Sequence, residues 1–269
     1  MGRESINDIK KYYDQKHEGE RWQSQQLEFE ITKMIFSNHI PENSRVLELG
    51  SGSGFYSTFL ASLGHEVTAL ELSEKLHSEA IDIKNQNNLS DNITNLLGDA
   101  RDVGSLVDDS DFDVVLNMGP MYHLYDQNEK IELMQKCKAK VKKGGLIFTS
   151  FLSRLGLVSY MLYKYPNWPT SNPEDAIHMW THGQNKSHPK DGSFRGSFVT
   201  LDEMLSYHDK TDLQLLGIMS QDPCLGGNDQ LFNELEDSNK ISWVSFLYET
   251  ISDPLAWGSG RSLLIKSTT

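Results

Sequence analysis

The alternation of apolar runs with amphipathic segments between residues 45 and 152 constrains the fold more than any other feature of the sequence. The apolar runs are typical of buried strands, and the segments between them have the periodicity of helices. The predicted strands lie at 45–50 (RVLELG), 65–72 (HEVTALEL), 93–98, 112–119 (FDVVLNMG) and 146–152. Because each right-handed crossover places its helix on one face of the sheet, this alternation predicts an α/β fold with a doubly wound, mostly parallel sheet.

Residues suited to helix ends mark the connections between these strands. Ser73 predicts the start of one helix, and Asp126 or Asn128 predicts the start of another. Gly64 and the pair Gly144-Gly145 predict helix ends, because glycine adopts the left-handed conformation that often follows a last helical turn.

The core at 45–152 is flanked by three further predicted segments. Residues 1–44 predict an N-terminal helical cap with one helix at 22–38. Residues 153–198 are rich in aromatic residues, Pro, Gly and His and have little periodicity, which predicts a lid or substrate-binding insertion after the fifth strand. Residues 199–269 complete a seven-stranded sheet, with helices at 201–208 and 231–252 and strands at 213–220 and 262–266.

Composition narrows the classes of partner. The chain has 269 residues and a formal net charge of -13, which disfavours nucleic acid and anionic membrane surfaces. No run approaches the roughly 18 apolar residues that a membrane helix needs. Cys137 and Cys224 have no metal-ligand spacing, so we expect a cytoplasmic protein without a disulfide framework or a zinc site. The sequence leaves the oligomeric state open.

Polar and glycine residues gather at the ends of the first three strands. Glu48, Gly50, Gly52 and Gly54 form the pattern E-x-G-x-G-x-G, in which glycines let a ligand approach the backbone closely. Taken alone, such a turn is also compatible with a connection that binds nothing. Glu71 and Asp99 end the next two strands, where carboxylates can reach ribose hydroxyls and an adenine amine. Together these residues predict an adenosine-shaped pocket at the carboxyl edge of the sheet.

The type of adenosine cofactor follows from the residue after the turn. A dinucleotide fingerprint would have glycine at position 55, where this chain has Phe55. The segments VLELGSGSGF (46–55) and GDAR (98–101), together with Glu71, resemble the class I S-adenosylmethionine-dependent methyltransferases. The segment NMGPMYHL (117–124) is similar to a GP-x-YHL motif in a bacterial small-molecule branch of that family. Similarity at KKGGLIFTSFLSR (142–154) and LYETISDP (247–254) extends the resemblance over nearly the whole chain.

This resemblance implies a Rossmann-like methyltransferase fold with S-adenosyl-L-methionine as cofactor. It assigns the ribose to Glu71, the adenine to Asp99 and Ala100, and the methionyl part to Gly50 and Gly52. The full implied set of cofactor-binding residues is Tyr13, Glu48, Gly50, Ser51, Gly52, Gly54, Glu71, Leu72, Asp99, Ala100, Arg101, Asn117 and Met118. The (Asn/Asp)-Pro-Pro-(Tyr/Phe) motif of nucleobase methyltransferases is replaced here by the sequence NMGPMY, so a small-molecule acceptor is expected.

The chemistry of methyl transfer needs alignment more than it needs acid or base groups. His123 and Tyr122 follow the fourth strand and are the candidate catalytic residues, although either side chain could instead brace its loop. The candidate substrate residues are Tyr12, Phe151, Arg154, Tyr163, Trp168 and Trp180. The three aromatic residues of the insertion could instead form a satellite core under a long loop, and Tyr12 could instead pack the N-terminal helix.

Two histidines in the insertion raise the possibility of a metal. His178 and His182 are four residues apart and His188 is near, with Asp191 or Glu174 available as a further ligand. Methyl transfer needs no metal, so none is expected. Two other functions stay open, a non-catalytic protein that binds an adenosine cofactor and a nicotinamide oxidoreductase.

Overall fold

The computed structural model describes residues 4–15, 18–185, 194, 196–225 and 227–269. Within these residues the centre of the molecule is one eight-stranded sheet. The strands are β1 (Arg45–Leu49), β2 (Glu66–Glu71), β3 (Ile93–Leu97), β4 (Phe112–Asn117), β5 (Val141–Ser153), β6 (Phe198–Val199), β7 (Gln214–Ser220) and β8 (Ser262–Thr268).

The strand order confirms the expected α/β fold with a mostly parallel sheet. The order is β3-β2-β1-β4-β5-β8-β7, and the two-residue β6 pairs with the end of β5 as an eighth strand. Strands β1 to β5 are parallel to one another, whereas β8 is antiparallel to both β5 and β7. The ends of β1, β2, β3 and β4 therefore meet at one edge, where ligands of such sheets bind.

Helices cover both faces of the sheet. They are α1 (Glu4–Gln15), α2 (Glu18–Ser24), α3 (Gln26–His39), α4 (Phe55–Ser62), α5 (Glu74–Gln86), α6 (Val103–Leu106), α7 (Gln127–Lys140), α8 (Arg154–Lys164), α9 (Trp168–Ser171), α10 (Pro173–His182), α11 (Leu201–Asp209), α12 (Asp229–Asn233), α13 (Asp237–Tyr248) and α14 (Pro254–Trp257). Short 3₁₀ turns follow β3 at Ala100–Asp102 and β4 at Pro120–Tyr122. In the described part of the chain, no helix is long and apolar enough to cross a membrane.

Two apolar layers fix the sheet between its helices. One layer joins Leu27 and Phe36 of α3 to Val46 and Leu116 of the sheet. The other layer joins Leu133 of α7 to strand residues on the opposite face. Burial of both faces explains why the central strands read as continuous apolar runs in the sequence.

The N-caps predicted from the sequence are confirmed for α5 and α7. The Ser73 hydroxyl accepts the N–H of Leu76 at 3.2 Å, and the Asp126 carboxylate accepts the N–H of Asn128 at 2.7 Å. These bonds satisfy N–H groups that the first helical turn leaves unpaired. They start α5 and α7 next to the functional edge.

Several predicted boundaries were wrong. The helix expected at 22–38 is split at Gln25 into α2 and α3, since Gln25 has non-helical dihedrals of -127° and 42°. The helix expected to continue to Gly144 ends at Lys140, because Val141 is extended and pairs with Phe112 of β4. The single helix expected at 231–252 is the two helices α12 and α13.

The insertion at 153–198 has more regular structure than its composition suggested. It contains α8, α9 and α10, and Pro occupies an early position in both α9 and α10, where its missing N–H costs no helical hydrogen bond. Short helices of this kind escape a search for long amphipathic periods.

Candidate functional site

A pocket of about 790 Å³, partly open to solvent, lies at the carboxyl edge of β1 to β4. Ten residues named from the sequence line it: Tyr13, Gly50, Gly52, Glu71, Leu72, Asp99, Ala100, Arg101, Tyr122 and His123. The sequence therefore identified the strand ends and the cap residue that surround one common space.

The glycine turn after β1 forms the floor of this pocket. Gly50, Gly52 and Gly54 have φ angles of 73°, 56° and 82°, which side chains other than glycine rarely adopt. A Cβ at Gly50 would lie 2.9 Å from Pro120 Cδ, so the turns after β1 and β4 pack directly against each other. Glycine is thus required both by the backbone conformation and by this close approach.

Glu71 is buried at the end of β2 with its carboxylate held by backbone donors. Its Oε2 accepts the N–H of Gly52 at 2.8 Å, and its Oε1 accepts the N–H of Ser73 at 2.8 Å. These bonds tie the glycine turn to the start of α5. They also fix the carboxylate in the pocket wall, where the sequence placed a ribose-binding acid.

Asp99, at the end of β3, pairs with a residue that the sequence also placed in the pocket. The Arg101 Nη2 lies 2.7 Å from Asp99 Oδ2, and Arg101 Nη1 lies 3.1 Å from Glu129 Oε1. The hydrogen bond to Asp99 and the charges of both acids raise the pKa of Arg101. Asp99 is therefore already partnered, and its contact with adenine stays a prediction.

Three polar residues expected at the cofactor are buried and do not belong to the pocket lining. Glu48 is buried and accepts a hydrogen bond from the Ser57 hydroxyl, and burial raises its pKa to about 7. Asn117 is fully buried, and neither atom of its amide has a hydrogen-bond partner among the described residues. The Ser51 hydroxyl is likewise buried without a partner in that part of the chain. Gly54 and Met118 also lie outside the lining.

His123 and Tyr13 meet across the mouth of the pocket. The Tyr13 hydroxyl lies 2.8 Å from His123 Nε2, although α1 and the turn after β4 are 110 residues apart in sequence. The α1 helix is held on the opposite side by the Ser73 hydroxyl, which donates to Asp14 Oδ1 at 2.6 Å. The C-terminal end of α1 therefore lies between the start of α5 and the turn after β4. Tyr12 does not line the pocket but packs against the Tyr13 ring at 5.0 Å.

The structure does not bring the other candidate substrate residues to this pocket. Phe151 is buried in the apolar layer that contains Leu133. Arg154 is buried and donates to the Trp180 and Phe198 carbonyls and to Glu203, which fixes the insertion to α11. Tyr163 and Trp180 are 56% and 52% exposed, and Trp168 lies outside the pocket lining as well.

The histidine pair of the insertion lies on α10. The His178 and His182 rings stack with their centroids 4.3 Å apart. His188 and Asp191 lie outside the described residues, and within those residues no group of three His, Cys, Asp or Glu side chains could hold a metal ion.

Sequence reasoning missed part of the pocket lining. Ile9 lies four residues before Tyr13 on α1, so helical spacing from Tyr13 is a signal that could have found it. Arg21 lines the pocket from α2 and offered no such signal. The remaining additions are Leu70, Leu76, Gly98, Gly119, Pro120 and Leu124.

Comparison with known proteins finds a family match and relatives among methyltransferases. Residues 46–145 match a family model described as a methyltransferase domain. The chain is similar to a ubiquinone biosynthesis O-methyltransferase of Paraburkholderia phymatum, with 29% identity over 157 residues, 55% of this chain and 63% of that protein. It is also similar to a cypemycin N-terminal methyltransferase of a Streptomyces species, with 34% identity over 114 residues, 42% of this chain and 44% of that protein. The matches therefore span less than two thirds of these relatives' own lengths.

Solved structures share the fold. A methyltransferase from Methanosarcina mazei superposes with a TM-score of 0.57 at 16% identity, covering 87% of this chain and 96% of that one. The CcbJ methyltransferase from Streptomyces caelestis superposes with a TM-score of 0.57 at 14% identity, covering 90% and 89%. At such identities the likeness establishes the fold alone.

Proposed function

We propose that the chain transfers the methyl group of S-adenosylmethionine to a small-molecule acceptor. The premise is that the chain belongs to the class I S-adenosylmethionine-dependent methyltransferases. The observation that carries this proposal is the joining of the glycine turn to the Glu71 carboxylate at 2.8 Å inside the family's matched segment. Because the glycine turn and the Glu71 carboxylate are held together, the same nucleoside can bind to the backbone of the turn and to the carboxylate.

The residues present fit this cofactor. The close approach of Gly50 to Pro120 leaves no room for a Cβ at the turn, and the buried amide of Asn117, which has no hydrogen-bond partner among the described residues, ends β4 opposite Leu49. Glu71 would hold the ribose, Asp99 and Ala100 the adenine, and Gly50 and Gly52 the methionyl part. When bound, the cofactor supplies a methyl group on a positively charged sulfur, which is already an activated leaving group.

The protein's own part is to align the acceptor and exclude water. His123 and Tyr122 line the pocket where the chain leaves β4. We place them at the acceptor, with the Tyr13 hydroxyl holding the His123 ring through the 2.8 Å bond. An imidazole in that position can take a proton from an acceptor that carries one.

Charge supports a small molecule rather than nucleic acid as the acceptor. The net charge of -13 repels phosphate backbones. The names of the relatives include both an O-methyltransferase and an N-terminal methyltransferase, so they do not select one acceptor atom.

Product analysis tests the proposal against a binding-only protein and a nicotinamide oxidoreductase. The protein is incubated with methyl-labelled S-adenosylmethionine and a metabolite extract, and the products are identified by mass spectrometry. We expect a labelled small molecule to accumulate with equimolar S-adenosylhomocysteine. Cofactor binding without any labelled product over the widest extract range would support the binding-only alternative and overturn methyl transfer. Oxidation of NADH without methylation would support the oxidoreductase.

A further inference from the structure

Five rings form a cluster at the acceptor side of the pocket, here called the aromatic cluster: Tyr12, Tyr13, Tyr122, His123 and Phe194. Four of them form a closed circuit of ring contacts. The centroids are 5.0 Å apart for Tyr12 and Tyr13, 5.5 Å for Tyr13 and His123, 5.4 Å for His123 and Phe194, and 5.4 Å for Phe194 and Tyr12. The aromatic cluster thus draws on α1, the turn after β4 and the insertion.

The pocket-facing part of the aromatic cluster consists of Tyr13, Tyr122 and His123. The carboxylates in the described lining, Glu71 and Asp99, lie at the ends of β2 and β3 instead. In the strand order β3-β2-β1-β4, the end of β3 is three strand spacings, or about 14 Å, from the end of β4. The acceptor side is therefore walled by rings, while the acids lie toward the nucleoside side.

The ring angles distinguish between two kinds of acceptor. A planar aromatic acceptor is best held in a slot between parallel rings. Here the planes of the rings that line the pocket meet at 90° for Tyr13 and His123 and at 63° for Tyr122 and His123. Rings set at such angles present faces from several directions, which suits a compact rounded group such as an alkylammonium ion.

We propose that the acceptor is an amine that binds as its ammonium ion against the aromatic cluster. This inference rests on the proposed function and names the substrate class of the same site. Aromatic faces attract an ammonium ion through the ring quadrupole, most strongly when water is excluded. The acidic net charge of the whole chain favours the approach of a cation as well.

The reaction then balances without a further reactant. The ammonium gives one proton to the His123 imidazole, which becomes imidazolium, and the amine nitrogen regains its lone pair. That lone pair forms the new N–C bond to the methyl carbon as the C–S bond breaks, and the C–S electron pair stays on sulfur. The products are an N-methylammonium ion, which keeps its positive charge against the rings, and neutral-sulfur S-adenosylhomocysteine.

Tetramethylammonium serves as the probe, with tert-butanol as its neutral counterpart of similar shape. Each is titrated by calorimetry into the protein saturated with S-adenosylhomocysteine. We expect tetramethylammonium to bind about tenfold more tightly than tert-butanol. Tyr13→Leu and Tyr122→Leu, which remove rings that line the pocket, should each weaken tetramethylammonium binding about fivefold, whereas Tyr122→Phe, which keeps the ring, should not. Trp243→Leu, on the exposed face of α13, is the matched control and should leave binding unchanged.

The same titration separates failure of this inference from failure of the proposed function. If S-adenosylhomocysteine binds but tetramethylammonium binds no more tightly than tert-butanol, the amine assignment is overturned and the proposed function stands. If the preference persists undiminished in both leucine variants, the aromatic cluster is not its source and the assignment is likewise overturned. Circular dichroism of each variant checks that it is folded. If S-adenosylhomocysteine itself fails to bind, the proposed function is overturned and the amine assignment falls with it.

Discussion

At the scale of single residues, Glu71 bears most on the cofactor. Its carboxylate is held in place by the Gly52 and Ser73 N–H groups, so it is oriented before any ribose arrives. Charge-assisted hydrogen bonds to ribose hydroxyls contribute about 1.5 to 3 kcal/mol. We therefore expect Glu71→Ala to weaken S-adenosylmethionine binding at least about tenfold in titration calorimetry. Glu66→Ala, at the exposed start of the same strand, is the control. Equal affinities for the two variants would remove Glu71 from the ribose site.

His123 bears on the acceptor. If the acceptor loses a proton during transfer, His123→Asn should lower the turnover rate about a hundredfold, a usual contribution of a general base, with cofactor affinity little changed. The measurement is steady-state kinetics with the acceptor identified by product analysis, alongside calorimetry with the cofactor. Wild-type turnover together with wild-type KM for the acceptor would mean that His123 only braces its loop.

Sequence reasoning found the residues at strand ends because their position follows from the parallel sheet. Gly50, Glu71 and Asp99 could be placed at one edge without knowing any angle. Phe151 shows the limit of this reasoning, since a residue near a strand end can still point into the core through the alternation of side chains. Arg21 and Phe194 come from segments whose path over the edge depends on tertiary packing, which strand and helix periods do not encode.

At the scale of elements, α1 lines the pocket with Ile9 and Tyr13, and we expect it to limit access to the cofactor site. Its Asp14 carboxylate accepts the Ser73 hydroxyl at 2.6 Å, which links α1 to the start of α5. We expect Asp14→Ala to raise amide hydrogen exchange in α1 and to speed cofactor dissociation several-fold, because a partly buried charge-assisted hydrogen bond is lost. Hydrogen exchange and stopped-flow displacement measure the two effects. Asn7→Ala, at an exposed position of α1, is the control, and unchanged dissociation in Asp14→Ala would show that α1 does not limit access.

Element boundaries were predicted less well than element types. The sheet and the helices α4, α5 and α7 follow from strong periods and caps, as Ser73 and Asp126 illustrate. The division between α2 and α3 at Gln25 has no glycine or proline to announce it. Likewise, Val141 continues a helical pattern in the sequence but leaves the helix because the sheet offers it a partner in Phe112. Tertiary pairing overrides local preference at such positions.

At the scale of the whole molecule, a buried ionic cluster joins distant segments. The Arg261 Nε lies 3.0 Å from Asp222 Oδ2, and its Nη2 lies 2.9 Å from Asp229 Oδ1 and 3.9 Å from Glu28 Oε2. These groups link α3, the end of β7, α12 and the start of β8. Removing the cation would leave buried carboxylates without compensation.

We expect Arg261→Met to lower the free energy of unfolding by about 3 to 5 kcal/mol, the usual effect of breaking a buried ion pair. Arg45→Met is the comparison, because Arg45 and Asp109 form an exposed pair at 3.1 Å whose loss costs at most about 1 kcal/mol. Urea unfolding monitored by circular dichroism gives both values. A similar small loss in both variants would mean that the buried cluster is not an important link between these segments.

Stability should also depend on pH through Glu48. Burial raises its pKa from 4.5 to about 7, so the folded state binds the proton more tightly than the unfolded state does. Its contribution is therefore fully present below pH 4.5 and is lost as pH rises through about 7. Between pH 5 and pH 8, Glu48→Gln should reduce the fall in unfolding free energy by up to about 3 kcal/mol. Burial also raises the pKa of Asp222 to about 6, so Asp222 still loses its proton over this range in the Glu48→Gln variant. Part of the fall in unfolding free energy therefore remains. An identical pH profile for both proteins would contradict the assignment to Glu48.

The position of β8 has a consequence for how the chain is made. Strand β8 lies between β5 and β7 in the sheet, although it follows both of them in sequence. During synthesis, β7 therefore leaves the ribosome before β8, the strand it pairs with. Until β8 is made, the edge of β5 that faces it is unpaired as well. Exposed strand edges recruit other chains, so the nascent protein passes through a stage at which it is prone to aggregate until β8 is inserted.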